Sequence, residues 1–399
     1  MRSHRSILLC FLGLLLRIAP LQAQAIIDNG TVQLGINQEG DLNLADPMSG
    51  AIVGLRYIPT NADATSPGCL CEGWGAADFL SSTFGFANRA EGGGNQLTPI
   101  SFAASGTGTQ PGSTGRIAES VVDIGSPAVL RVTQSYHPSV SPNLYEDTVT
   151  IRNVSAQTVQ PRYRRTIDFD IEPMVFNEFI TLEIGDATNL LVASDNGFAS
   201  ANPLTNDNQD IGNCGPPSYG DCGPEDHGAV FDFGFPSLPP GASLHFNAYF
   251  GAAGREQDAT AALSAVGAEV FALGQPAGDP DDGTPNTFIL GFSGVGGTPA
   301  LPQCVFKPVS SFGRVGTTYT ASIQVTLPAT GEPLPGSTVT FTIVSGPHER
   351  RTGTSVTNAD GKAGFTYLGT TSGIDTIEAC SRMAGFPVVC CRGTREWRP

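Results

Sequence analysis

"AVLRVTQSY", residues 128–136, sets apolar side chains at Leu130, Val132 and Tyr136 against polar ones at Arg131, Thr133 and Ser135. A period of two sends successive side chains to opposite faces of an extended backbone, so this stretch reads as a strand with one buried face. "YEDTVTIRNV" (145–154) repeats the pattern after a short gap. So do "TVQLGIN" (31–37), "AIVGLRY" (51–57), "EFITLEI" (178–184), "NLLVAS" (189–194), "AVFDFGF" (229–235) and "SLHFNAYFGA" (243–252). The connectors, "NQEGD", "EGGGN", "SGTGTQPGSTG" and "LPPG", are built from turn-forming residues. Short strands at this spacing predict an all-β fold. One peripheral helix is expected over 255–274, where Ala259, Leu263, Val266, Val270 and Leu273 recur at helical spacing and Gly274 offers a stop.

Composition agrees with that reading. Charged residues make up 15 % of the 399 positions, against about 25 % in ordinary globular proteins. The 49 glycines and 30 prolines suit tight turns, and 40 % hydrophobic residues is enough to build cores. The formal net charge is −16. So acidic a chain repels phosphate backbones, and nucleic acid is not expected as a partner. Residues 1–25 have a basic start at Arg2, His4 and Arg5, an apolar run from Ile7 to Leu16, and Ala23-Gln24-Ala25. That is the layout of a secretory signal peptide, and the run is shorter than the ~20 residues a spanning helix needs. Export to the extracellular space is expected, with no membrane span after cleavage. "CCRGTREWRP" carries no apolar tail, so no terminal anchor is expected.

An oxidising compartment makes disulfides the default for Cys69, Cys71, Cys214, Cys222, Cys304, Cys380, Cys390 and Cys391. Cys-x-Cys in "PGCLCEGWGAAD" (67–78) fits neither the Cys-x2-Cys spacing of zinc claws nor a redox pair. Four cysteines precede residue 225 and four follow 303, so two separately stapled bodies are expected. Cys69 and Cys71 are expected to reach the Cys214/Cys222 loop rather than each other. "FSGVGGTPALPQ" has linker character. The expected organisation is a large antiparallel β-sandwich over 26–291, a linker over 292–304, a second sandwich over 305–393 and a tail over 394–399.

The second body carries a family resemblance. "VGTTYTASIQVTLPATGEPLPGSTVTF", "TNADGKAGFTY" and "GIDTIEA" follow in an order that resembles the bacterial Ig-like domains, group 1, of invasin and intimin. The resemblance implies an Ig-like β-sandwich used as a spacer or contact module in adhesion. From the residues themselves, "NADG" (358–361) is a tight-turn signal. Thr338, Thr340 and Thr342 alternate with core-facing Val339, Phe341 and Ile343. The four cysteines depart from that family's usual composition. In the first body, "PGCLCEGWG", "RYRRTIDFDIEP", "DHGAVFDFGF" and "VGAEVFALGQ" resemble uncharacterised secreted bacterial β-rich proteins that often carry a surface-sorting signal. The strand pattern is also similar to the large β-sandwich of carbohydrate-binding and mutarotase-like proteins, a likeness of fold alone.

The densest chemistry is "VQPRYRRTIDFDIEP" (159–173). On a strand, Arg162, Arg164, Asp168, Asp170 and Glu172 share one face, and Val159, Tyr163, Ile167, Phe169 and Ile171 the other, with Arg165 as the exception. The five charges form a candidate binding face, an open sheet surface for a glycan or protein ligand. Asp168 and Asp170 also fall within the carboxyl spacing of glycosidases, ~5 to 9 Å. "GDPDDGT" (278–284) clusters Asp279, Asp281 and Asp282, which suits calcium. Gly283, however, stands where a calcium loop wants an acid, so a polar turn is the plainer reading. Asp207, Asn208, Asp210, Asp221 and Asp226 form a second weak grouping of hard oxygens. His227 follows Glu225 and Asp226 beside the long 195–228 loop. No nucleophile elbow, zinc-helix or phosphate-loop motif occurs, so no residue is assigned a catalytic role and no cofactor beyond calcium is expected. The sequence thus favours a secreted or cell-surface binding protein. The alternative is an extracellular carbohydrate-active enzyme with an accessory Ig-like module.

Overall fold

The structure, a computed structural model, describes residues 24–212, 220–277, 283–327, 330–383 and 388–399. It is 52 % strand and 4 % helix, an all-β fold with one helix among the described residues. The expected leader falls almost wholly outside those residues.

The alternating stretches pair as their pattern requires. Strand Leu130–Pro138 runs antiparallel to Leu144–Asn153, with Val132 opposite Ile151 and Gln134 opposite Val149. These inward residues are buried while Arg131 and Thr148 are not. Both strands belong to a nine-stranded sheet that runs from Leu97–Ser105 at one edge to Cys222–Glu225 at the other. A six-stranded sheet faces it, ordered Leu190–Ser194, Gly228–Gly234, Pro161–Asp168, Glu72–Asp78, Thr83–Asn88, Gly93–Asn95. Aromatic rings bridge the layers, Tyr163 to Phe246 at 5.0 Å and Phe233 to Phe292 at 4.9 Å between centroids. A four-stranded sheet from Ala25–Asp28 to Ala62–Asp63 adds Ile27, Leu34 and Leu55 to the same core.

Arg165, the exception in the apolar row, keeps its place on the core face. It is fully buried; Nε donates to Glu72 Oε1 at 2.6 Å, Nη1 to Gln134 Oε1 at 2.8 Å, and the guanidinium lies over the Phe250 ring. A buried charge is tolerated when it is paired and hydrogen-bonded in this way.

The expected helix over 255–274 is two elements. The helix is Glu256–Val266, closed by Gly267 in the left-handed region at φ 64°. Val270–Gln275 is a strand buried along its whole length. The apolar residues that continued the helical period are the strand's own, and a buried strand and a buried helix segment look alike over a few residues.

The second body packs a three-stranded sheet (Gln303–Phe306, Thr318–Thr326, Lys362–Leu368) on a five-stranded one. Its core holds Phe306, Ile323, Val339, Phe341, Ile343, Tyr367, Ile377 and Trp397. In the five-stranded sheet, Val389–Arg398 lies between Gly373–Arg382 and Ser310–Arg314, and pairs with the latter in parallel. The expected tail over 394–399 is therefore strand to residue 398, because Trp397 fills the core. The expected linker also begins and ends in strands, Thr287–Ser293 and Gln303–Phe306.

Cys304 bonds to Cys391 and Cys380 to Cys390, so the later four cysteines pair among themselves. Cys69 bonds to Cys71, which corrects the expected pairing of these two with the Cys214/Cys222 loop. The turn at Leu70, at φ 61°, folds the two sulfurs onto each other. Cys222 is disulfide-bonded and Cys214 lies outside the described residues. No helix among the described residues is long and apolar enough to cross a membrane.

Candidate functional site

The chain crosses between the two large sheets twice at one corner of the first sandwich. Pro161–Asp168 belongs to the six-stranded sheet and Glu178–Glu183 to the nine-stranded one. Cys222–Glu225 and Gly228–Gly234 make the return crossing, with Asp226 and His227 at the corner itself. Three backbone bonds pin the first crossover, Asp168 N–H to Cys71 O, Phe169 N–H to His227 O and Asp170 N–H to Ala64 O. Gly228 lies opposite Asp168, and a Cβ there would stand 2.7 Å from the Asp168 Cα, so only glycine lets the crossovers approach this closely.

The corner gathers acids. Carboxylate oxygens of Asp168, Glu178 and Asp226 lie within 4.8 Å of one another. Asp168 is 1 % exposed, Asp170 and Glu178 are fully buried, and Asp226 is open to solvent. Burial first, then repulsion from Asp170, Asp226 and Glu178, pushes Asp168 up to about 9. Burial raises Glu178 to about 8, although it accepts the His227 backbone N–H at 3.0 Å. Burial and the charges of Asp226 and Asp63 raise Asp170 to about 7. His227 is buried with Nδ1 3.4 Å from Asp195 Oδ2. Burial alone would raise Asp195, but that His227 contact and the amides of Ile211 and Gly212 outweigh it and hold it low. Cys69 Sγ lies 3.4 Å from Asp168 Oδ2. Because the two sulfurs are bonded to each other, they offer no thiolate. Acids crowded in this way have two chemical options: to share protons, or to hold a hard cation.

The candidate face of five charges is not an open surface. Arg164 is fully buried: it forks onto Asp232 at 2.5 and 2.9 Å and reaches Ser200 O, Thr205 Oγ1 and Asp207 Oδ1, clamping the 196–208 loop over the sheet. Arg162 is half-buried with its guanidinium over the Phe79 ring, and Glu172 is exposed beyond the strand's end. The strand ends at Asp168, short of Asp170 and Glu172, and as a covered inner strand it is buried on both faces. Of the second grouping of hard oxygens, Asp207 is held by Arg164 and Asn208 by Asp232. Asp279, Asp281 and Asp282 lie outside the described residues. Glu178 is the site residue that the sequence reading left inside a strand. Its parity with buried Ile180 and Leu182 is the signal, since an acid on the core side of a strand needs a reason to be there.

Three cavities stand out, and none borders this corner. The largest, about 840 Å³, lies where the helix meets the second body, lined by Tyr57, Ala262, Cys304, Glu378 and Arg392 among others. The second is lined by Leu191 and Asn208, the third by Arg255 and Thr340.

No protein-family model matches the chain, and no curated protein matches its sequence. Among solved structures, a transglutaminase of red sea bream is 10 % identical, with 67 % of this chain and 31 % of that chain covered and a TM-score of 0.25. A polysaccharide lyase is 8 % identical, over 96 % of this chain and 48 % of that one, at 0.23. A galactose mutarotase-like protein from Lactobacillus casei is 8 % identical, over 68 % and 88 %, at 0.25. The match thus spans less than half the length of the first two. At these scores the likenesses carry no argument about fold or chemistry.

Proposed function

We propose that this is an extracellular, non-enzymatic binding protein of the adhesion type. In this reading a large sandwich is followed by a bacterial Ig-like module of group 1 acting as spacer or contact surface, and the ligand is a surface glycan or protein. The observation that carries it is the placement of Asp168 and Asp170, the carboxylate pair that the sequence reading set within hydrolase spacing. Both are buried, and none of the three prominent cavities reaches them. A hydrolase needs its acids to face a substrate-sized cleft. A second sandwich with its own core, from Phe306 to Trp397, supports the modular reading.

The raised pKa values of Asp168, Glu178 and Asp170 favour a second reading, an extracellular carbohydrate-active enzyme, because elevated carboxyls serve as general acids. One experiment separates the two. The full chain is applied to a glycan array and to immobilised cell-surface protein, and in parallel to a panel of polysaccharides with reducing-end detection. Saturable binding without turnover is the expected result. Turnover that disappears in Asp168→Asn would establish the enzyme instead, and neither binding nor turnover would count against both.

A further inference from the structure

We infer that the acidic corner is a binding site for calcium, with Asp168, Glu178 and Asp226 as ligands. The inference goes beyond the binding reading above and stands without it.

Size comes first. Calcium takes oxygen at about 2.3–2.6 Å, so oxygens on opposite sides of one ion stand about 4.6–5.2 Å apart. The oxygens of Asp168, Glu178 and Asp226, gathered within 4.8 Å, fit inside that shell. The donor set is hard oxygen throughout, since the neighbouring sulfurs of Cys69 and Cys71 are spent on each other. That composition disfavours zinc and copper.

Unmet bonding capacity is the independent observation. Asp168 Oδ1 and Glu178 Oε2 are buried without a hydrogen-bond partner among the described residues. Other buried acids of this chain are supplied with donors. Glu269 takes the amides of Gly294, Val295 and Gly297; Asp375 takes His348, Tyr367 and Trp397. Asp41 and Asp147 are also partnerless, but neither stands in such a group of carboxylate oxygens. At the corner, every charged neighbour acting on Asp168 is another acid: Asp170, Asp226 and Glu178. A divalent cation would relieve the repulsion and fill the orphaned lone pairs together. Asp226, exposed at the mouth, gives the ion a way in.

The test uses the full chain, stripped with EDTA and dialysed, then titrated with calcium chloride by calorimetry while the thermal midpoint is followed. The expected result is one site with Kd of about 10⁻⁴–10⁻³ M or tighter, the range of extracellular calcium modules, and a rise in midpoint. Asp168→Asn and, separately, the exposed Asp226→Asn are each expected to weaken calcium on the order of tenfold or more, because ligand charge sets affinity. Asp226→Asn keeps the test decisive if the buried variant fails to fold. Three outcomes would overturn the assignment. One is the absence of both heat and midpoint shift at about 10 mM calcium, well above that Kd range. Another is equal binding of magnesium chloride. The third is wild-type affinity in Asp226→Asn, which would place any calcium elsewhere, such as at Asp279, Asp281 and Asp282.

Discussion

Arg165 and Asp41 show two fates of a charge inside one core. Arg165 is matched by Glu72 and Gln134. Asp41, also fully buried, has neither carboxylate oxygen bonded, and burial together with repulsion from Glu72 lifts it to about 7. The unfolded chain releases that proton near pH 4, whereas the folded protein keeps it until about 7. Asp41 therefore contributes stability that is whole below pH 4 and drains away as pH rises through 7. Asp41→Asn is expected to match wild type at pH 3 and exceed it at pH 8, by no more than about 1.4 kcal/mol per pKa unit. Urea midpoints at the two pH values check this; an identical pH slope in the variant would refute it. Removing the partner of Arg165 is the opposite case. Glu72→Ala is expected to cost about 3–5 kcal/mol, the usual penalty for orphaning a buried charge, and urea unfolding reads it directly. Arg165 was legible in the sequence as a break in the alternation. Glu72 was not, because opposing two strands some ninety positions apart requires a register that local pattern does not contain.

At the scale of elements, period two located most of the strands, the fully buried Val32–Ile36 and Gly228–Gly234 among them, and missed others whose residues do not alternate. Glu72–Asp78, buried throughout, was read only as the residues after a cysteine motif. Val270–Gln275 was absorbed into a helix for the same reason. The acidic corner was half legible: Asp168, Asp170, Asp226 and His227 stood out as charge in a charge-poor chain, while Glu178 joins them only through the crossover. Val389–Arg398 was cut short because "GTREWR" alternates Trp with charge and glycine rather than with aliphatic residues. Its Trp397 is buried, and its indole N–H donates to Asp375 Oδ2 at 2.7 Å. Trp397→Ala is expected to destabilise the second body by about 3–5 kcal/mol, the range for an emptied aromatic site. Trp397→Phe should recover the packing but not the hydrogen bond. Urea unfolding of the two variants separates the contributions, and a loss below about 1 kcal/mol for the alanine variant would contradict this packing.

For the molecule as a whole, the staples differ in reach. Cys304–Cys391 spans 87 positions, Cys380–Cys390 spans 10 and Cys69–Cys71 spans 2. Loop-closure entropy assigns about 4–5 kcal/mol to the first and about 3 kcal/mol to the second. The third closes almost no loop. Paired Cys→Ser replacements are therefore expected to lower the thermal midpoint most for 304/391, less for 380/390 and least for 69/71; calorimetry that ranks 69/71 first would refute the ordering. The two bodies also meet through charge. Arg255, at the start of the helix, reaches Glu378 at 2.5 Å, and Arg392 bridges Glu378 and Asp258 at 2.7 and 2.9 Å.

The parallel pairing of Ser310–Arg314 with Val389–Arg398 sets an order of events as the polypeptide is made. The ribosome delivers this interior strand of the second body last of its eight, so the earlier ones wait with their inner faces uncovered while it is translated. Until Trp397 arrives, the core of that half-made module lacks its largest side chain.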